Sequence, residues 1–220
     1  MALNIKLNEN DILFIGSPLG KMENIFSLST NKNNNSNCIR LSKNKKTVCS
    51  KCYVKKSMGI NPHLEEALNR NEFLKTRLLE QNEIEKLSFL KNQLYFRFES
   101  FGDIDTLTQL INYNNIAKKY KNCNFALWTK NYFLLLKYFR AGYTLSKNIR
   151  LVISSPFLNA DISELFINTL KKYNNDIITF SVYDKNHTEN KIVNCGSKKC
   201  IDCLNCYKSV KRKNVIEMLK

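Results

Sequence analysis

Histidine is nearly absent from this chain: only His63 and His187 occur in 220 residues. Neither has a partner at catalytic spacing, so no Ser-His-Asp triad, paired-histidine metal site or P-loop is present. No positively charged leader with an apolar core opens the sequence. No apolar run approaches the length needed to cross a bilayer, the nearest being Tyr132–Leu136. These absences lead to the expectation of a cytoplasmic protein in a reducing compartment, without membrane association. Acidic residues are also in deficit, 19 against 35 Lys and Arg, for a net charge of +16. Such a balance attracts nucleic acid or an anionic cofactor, although Lys- and Asn-rich runs such as 31–35 also arise from an AT-rich genome. With 43% hydrophobic residues, the chain can bury a core without disulfides.

Cysteine is abundant instead. Seven of the eight cysteines fall into two groups. Cys195, Cys200, Cys203 and Cys206 follow C-x4-C-x2-C-x2-C, a compact linear run closer to iron-sulfur ligation than to the two separated knuckles of structural zinc. Cys38, Cys49 and Cys52 follow C-x10-C-x2-C. Three thiolates leave one iron of a 4Fe-4S cluster open, whereas a zinc ion would need a fourth ligand, His63 or a distant thiol. Between Arg40 and Lys56 lie seven basic residues and no acid, a setting that favours thiolate over thiol. Cys123 stands alone and reads as a buried apolar thiol.

Strands are expected within 11–16 and 24–29, followed by a long basic loop over 30–60. Asn61 and Pro62 open a helical stretch to about residue 92, one long helix or two in series. Strand and helix then alternate. Strands are expected at 94–98, 124–128, 149–153 and 176–182. The intervening helices are capped by Asp105, by Asn131 (ending at Gly142), and by an Asp161/Glu164 capping box. Trp128 and Tyr95 read as core residues. The pattern argues one α/β domain over 1–220 with a mostly parallel sheet: a Cys-bearing loop at 30–60, repeated strand-helix units at 94–183 and a Cys-rich basic tail at 190–220. Ligands of such sheets bind at the strands' carboxyl ends, where Glu99–Asp103, Thr129–Asn131, Ser154–Pro156 and both cysteine groups fall. That topology brings both ends of the chain together.

The order of strand, three-cysteine loop, helix, strand ending in glycine plus acid, and strand ending in Thr-x-Asn resembles the core of radical S-adenosylmethionine (SAM) enzymes. The resemblance implies Cys38, Cys49 and Cys52 as ligands of a 4Fe-4S cluster and Gly102 with Asp103 at the SAM site, with Thr129 and Ser154 as further pocket residues. The superfamily's commonest spacing, C-x3-C-x2-C, has a shorter first gap, and its turn has two glycines and a glutamate where this chain has Gly102-Asp103. Cys49-Ser-Lys-Cys52-Tyr53, Arg97–Asp103, Leu127–Lys130 and Cys195–Tyr207 are also similar, in the same order, to phage and prophage "gene product 88"-like proteins. That likeness implies a cysteine-cluster protein of phage or mobile DNA on a partial (β/α) barrel. The functional expectation is an iron-sulfur protein, a divergent radical SAM enzyme that uses an electron donor and a nucleic-acid- or nucleotide-derived substrate. Its second, four-cysteine cluster relays electrons or anchors substrate. The alternative is a zinc-binding basic module that binds nucleic acid without catalysis.

Overall fold

The chain opens on an antiparallel hairpin of β1 (Leu3–Lys6) and β2 (Ile12–Ile15). It then builds a six-stranded sheet from β3 (Phe26–Leu28), β4 (Tyr95–Phe98), β5 (Asn124–Thr129), β6 (Ile149–Ser154), β7 (Ile177–Tyr183) and β8 (Asn214–Met218). Every pairing in that sheet is parallel and the strands lie in chain order, so each connection is a crossover. The computed structural model describes residues 1–174, 176–188, 191–208 and 214–219. Residues 190, 209–213 and 220 of the expected basic tail lie outside the described residues.

The connection from β3 to β4 carries α1 (Ser36–Ser42), α2 (Tyr53–Ile60), α3 (His63–Asn69) and α4 (Gln81–Glu85). Single helices link the next strands: α5 (Leu107–Lys119), α6 (Tyr132–Arg140) and α7 (Glu164–Lys171). The short α8 (Cys200–Cys203) lies between β7 and β8. The architecture is therefore α/β with a parallel sheet, compatible with a partial barrel. Among the described residues no helix is long and apolar enough to cross a membrane.

The period of two along each strand sorts side chains to two cores. Phe96, Phe98, Phe125, Leu127, Leu151 and Ile153 face the helices, where the Phe98 ring stacks on Tyr113 at 4.3 Å and on Phe125 at 5.0 Å. Tyr95, Ala126, Val152, Ile178 and Phe180 face the other way, and the cassette residues Cys195, Cys200, Leu204, Cys206 and Tyr207 pack on them. Strands sandwiched in this way are apolar on both faces, which is why the sequence shows continuous runs rather than alternation. Cys123 is fully buried on the helix side, as expected, and burial pushes its thiol up to about 12.

Several local expectations need correction. The 30–60 segment contains α1 and α2, so it is not an unstructured loop. The stretch from 63 to 92 is broken into α3, α4 and two 3-10 turns, Glu72–Lys75 and Ser88–Asn92. Buried asparagines accompany the breaks: the Asn71 side chain ties the stretch to strands outside it, and Asn112 binds backbone groups between residues 74 and 79. Asn71 accepts Phe14 N at 2.8 Å and donates to Phe14 O and Ser29 O, while Asn112 accepts Leu79 N and donates to Leu74 O and Arg77 O. Thr106, not Asp105, caps α5, and Asp105 instead accepts from Ser36 Oγ and lies 3.7 Å from Lys75 Nζ. No side chain caps α7: its N-cap is Ser163, so Asp161 lies two residues too early for the expected capping box and pairs with Lys191 at 2.7 Å instead. Asn131 caps α6 as expected, and Gly142 follows in the left-handed region at φ 84°. Strands β1 and β8 were not anticipated.

Candidate metal and cofactor site

The three-cysteine segment is tied down on both sides of its thiols. Asn35 caps α1 by accepting Cys38 N at 2.9 Å, which fixes the first cysteine in the opening turn. Buried Thr47 donates to Leu41 O and Asn44 O, and Val48 N donates to Pro156 O just beyond β6. The 3-10 turn Val48–Lys51 then presents Cys49 and Cys52, with Cys52 N donating to Cys49 O at 3.3 Å.

The cassette reaches the same region from the far side of the sheet. After α8, Leu204 takes a left-handed conformation at φ 54°, a turn closed by Leu204 N to Cys200 O and Tyr207 N to Leu204 O. The turn brings Cys206 and Tyr207 onto the inner face of the sheet, where Tyr207 meets Tyr95 edge-on at 5.7 Å. Lys21, just ahead of β3, reaches Cys195 Sγ at 3.1 Å and Glu217 of β8 at 2.8 Å. One lysine thus joins the two edges of the sheet, and the expected meeting of the chain's two ends is present.

All seven of these thiols, with Gly102, Asp103, Thr129 and Ser154, line one cavity of about 1040 Å³. The seven expected thiol ligands and the four expected pocket residues are therefore in one place. His63 is exposed and is not among the lining residues.

Electrostatically, burial dominates. It holds the Cys38 and Cys49 thiols well above their usual range, against the opposing charge of Lys130. Burial also raises Cys195 and Cys200 and pushes Cys206 up to about 12, with Lys21 or Arg97 pulling the other way. The basic run at 40–56 does not overcome this, because its lysines are exposed and their charge is screened by water. Metal binding would accordingly release protons.

The loop after β4 is the tightest part of the site. Asp103 is 3% exposed, and its carboxylate accepts from Thr129 Oγ (2.5 Å), Ile104 N (2.8 Å), Lys130 N (2.9 Å) and Asn37 Nδ2 (3.4 Å). It is a lock among three loops, and a ligand ammonium would have to compete with these donors. Gly102 is required by space: a Cβ there would lie 2.5 Å from Thr30 O and 2.6 Å from Glu99 Oε2. Gly102→Ala is expected to cost about 1–3 kcal/mol, read by urea unfolding; an unchanged midpoint would show that the loop relaxes freely. Ser154 is buried and its carbonyl accepts the Tyr132 hydroxyl.

Sequence reasoning gave no role to four residues of the site, although Glu99 and Lys130 lie in the strand-end segments it marked. Glu99 sits in the left-handed region at φ 61° and is fully enclosed, accepting from Tyr113 OH, Gln109 Nε2 and Thr30. Lys130 lies among Cys49, Asp103 and Cys38; burial pulls it down, but their charges outweigh that and hold it above its usual value. Lys21 and Arg97 complete the set. An arginine inside the aromatic run Tyr95–Phe98 was the one visible signal.

Among the described residues no three His, Cys, Asp or Glu side chains are drawn together as a single-ion site. A tetrahedral zinc with sulfur bonds of about 2.3 Å needs its sulfurs about 3.8 Å apart, whereas a cubane spreads its ligands more widely. The donor set is all thiol and half-buried, with Cys195, Cys200 and Cys206 against an apolar sheet face, a chemistry that iron-sulfur clusters and structural zinc both accept. Compared with known proteins, the chain matches no family model, no curated protein and no solved structure.

Proposed function

We propose that this is an iron-sulfur protein of the radical SAM type, related to the phage "gene product 88"-like proteins, with a substrate site between two thiol groups. Cys38, Cys49 and Cys52 would hold a 4Fe-4S cluster with one open iron, and Cys195, Cys200, Cys203 and Cys206 a closed one. The observation that carries this reading is the common cavity. Three thiols follow the first parallel strand and four follow the fifth, and both groups open on one space at the carboxyl ends of a sheet in strict chain order.

With SAM at the open iron, such a cluster supplies hydrogen-atom abstraction. The chain's own residues prepare the site. Asp103 and Gly102 fix the loop beside Cys38, Lys130 and Lys21 offset thiolate charge, and the apolar inner face around Val152 and Phe180 excludes water. A closed cluster held by the cassette, whose residues pack on Tyr95 and Val152, would supply electron relay from a donor protein or anchor substrate.

Anaerobic reconstitution followed by electron paramagnetic resonance tests this. A reduced cluster whose spectrum changes on adding SAM is expected. A spectrum that ignores SAM would remove the SAM assignment. Tight zinc without sulfide would replace the whole reading by the basic zinc module, whose nucleic-acid binding should weaken steeply with salt.

A further inference from the structure

Among the described residues, Arg97 is a cation of the cavity that forms no salt bridge with a carboxylate. It extends from the middle of β4 on the inner face, and its guanidinium lies over the Trp128 ring at 4.2 Å. The ring is held in turn by Phe180, edge-on at 4.7 Å. No carboxylate pairs with Arg97 among the described residues; its Nη contacts are the Met22 sulfur at 3.7 Å and Glu99 O at 3.4 Å. Its Nε and the Trp128 Nε1 are both buried without a partner. A half-buried guanidinium whose Nε has no hydrogen-bond partner among the described residues is costly to keep.

The cassette accounts for only part of it. The Arg97 charge pulls on the Cys200 and Cys206 thiols, but no hydrogen bond joins Arg97 to a thiol among the described residues, and Cys195 has its own cation in contact, Lys21. The cavity wall adds to the surplus. Lys32, Lys51, Lys55 and Lys198 line it with no acidic partner among the described residues, while Glu99 and Asp103 are already satisfied by internal donors. Tyr53 and Phe101 add two rings near the mouth, 6.3 Å apart.

We propose that Arg97, seated on Trp128, recognises the phosphate of a phosphorylated nucleoside or nucleotide bound in this cavity. A planar guanidinium with weakly engaged Nη groups matches the bidentate geometry of phosphate oxygens. The surrounding lysines suit a dianion better than a single carboxylate, and the rings offer faces to a base. The inference rests on the cavity being the substrate site of the function proposed above, but its test needs no cluster.

Trp128 is the chain's only tryptophan, so its fluorescence reports on this spot alone. Titration of the full chain with adenosine monophosphate is expected to give a saturable change. Adenosine should bind at least about tenfold more weakly, and malonate should not move the signal where the monophosphate saturates. Arg97→Gln should lose about tenfold or more in monophosphate affinity, the range of a lost charged hydrogen bond. Should that variant fail to fold, Arg97→Lys, which keeps the charge but not the fork, should bind several-fold more weakly. Equal binding of nucleoside and monophosphate, an equal response to malonate, or undiminished affinity in a folded Arg97 variant would each overturn the proposal. Because the titration is run on metal-free and on reconstituted protein alike, its failure is separable from failure of the cluster assignment.

Discussion

Asp103→Ala is expected to destabilise the protein by about 3–5 kcal/mol, the largest single effect outside the apolar core. The carboxylate lost is the acceptor for Ile104 N, Lys130 N and the Thr129 hydroxyl, all enclosed by the β4 and β5 loops. Each donor left buried without a partner costs about 1–3 kcal/mol, and the Lys130 ammonium loses a neighbouring negative charge. Against a typical domain stability of about 5–15 kcal/mol, the variant would be marginal. Asp103→Asn keeps one acceptor oxygen and should lose less. Urea unfolding of both variants measures this; an alanine variant within about 0.5 kcal/mol of the parent would show that the loops are held by other contacts.

Stability is expected to fall by roughly 3 kcal/mol on account of Glu99 as pH rises from about 4.5 to about 7. Burial pushes Glu99 up to about 7 from its usual 4.5; the Tyr113 hydrogen bond opposes the shift and the Asp103 charge reinforces it. The folded state therefore holds a proton on Glu99 where the unfolded chain has released it. Its stabilising contribution is complete below about pH 4.5, declines through that window and levels off above pH 7. Glu99→Gln removes the titration, so the stability difference between parent and variant should change by that amount across the window. A difference that stays constant with pH would mean that the Tyr113, Gln109 and Thr30 donors keep the carboxylate ionised throughout.

Much of the site was legible because its signals are local. Cysteine spacing is read directly from the chain. The ends of β4, β5 and β6 are marked by Gly102, Thr129 and Ser154 following short apolar runs. The parallel sheet followed from the alternation between residues 94 and 183. What escaped depends on distant contacts. Strand β8 has only five residues and exists because β7 offers an edge for it. The break-up of 63–92 is accompanied by contacts of Asn71 and Asn112, whose side chains bond to backbone groups far along the chain. A charge-rich, Leu-rich stretch with no proline or glycine gives no warning of that. Glu99 looked like one more polar residue at a strand end, since its enclosure by Thr30, Gln109 and Tyr113 is a product of the fold. The basic run at 40–56 pointed the opposite way: neighbours in sequence suggested thiolates, but burial raises the Cys38 and Cys49 thiols.

The two iron-sulfur clusters proposed for the seven thiols, one open and one closed, are tested most directly by counting iron, zinc and acid-labile sulfide per chain in anaerobically purified and reconstituted protein. About eight irons and eight sulfides are expected, falling to about four of each when Cys200 and Cys203 are both replaced by alanine. Stoichiometric zinc with no sulfide, in the same preparation, would contradict the proposal.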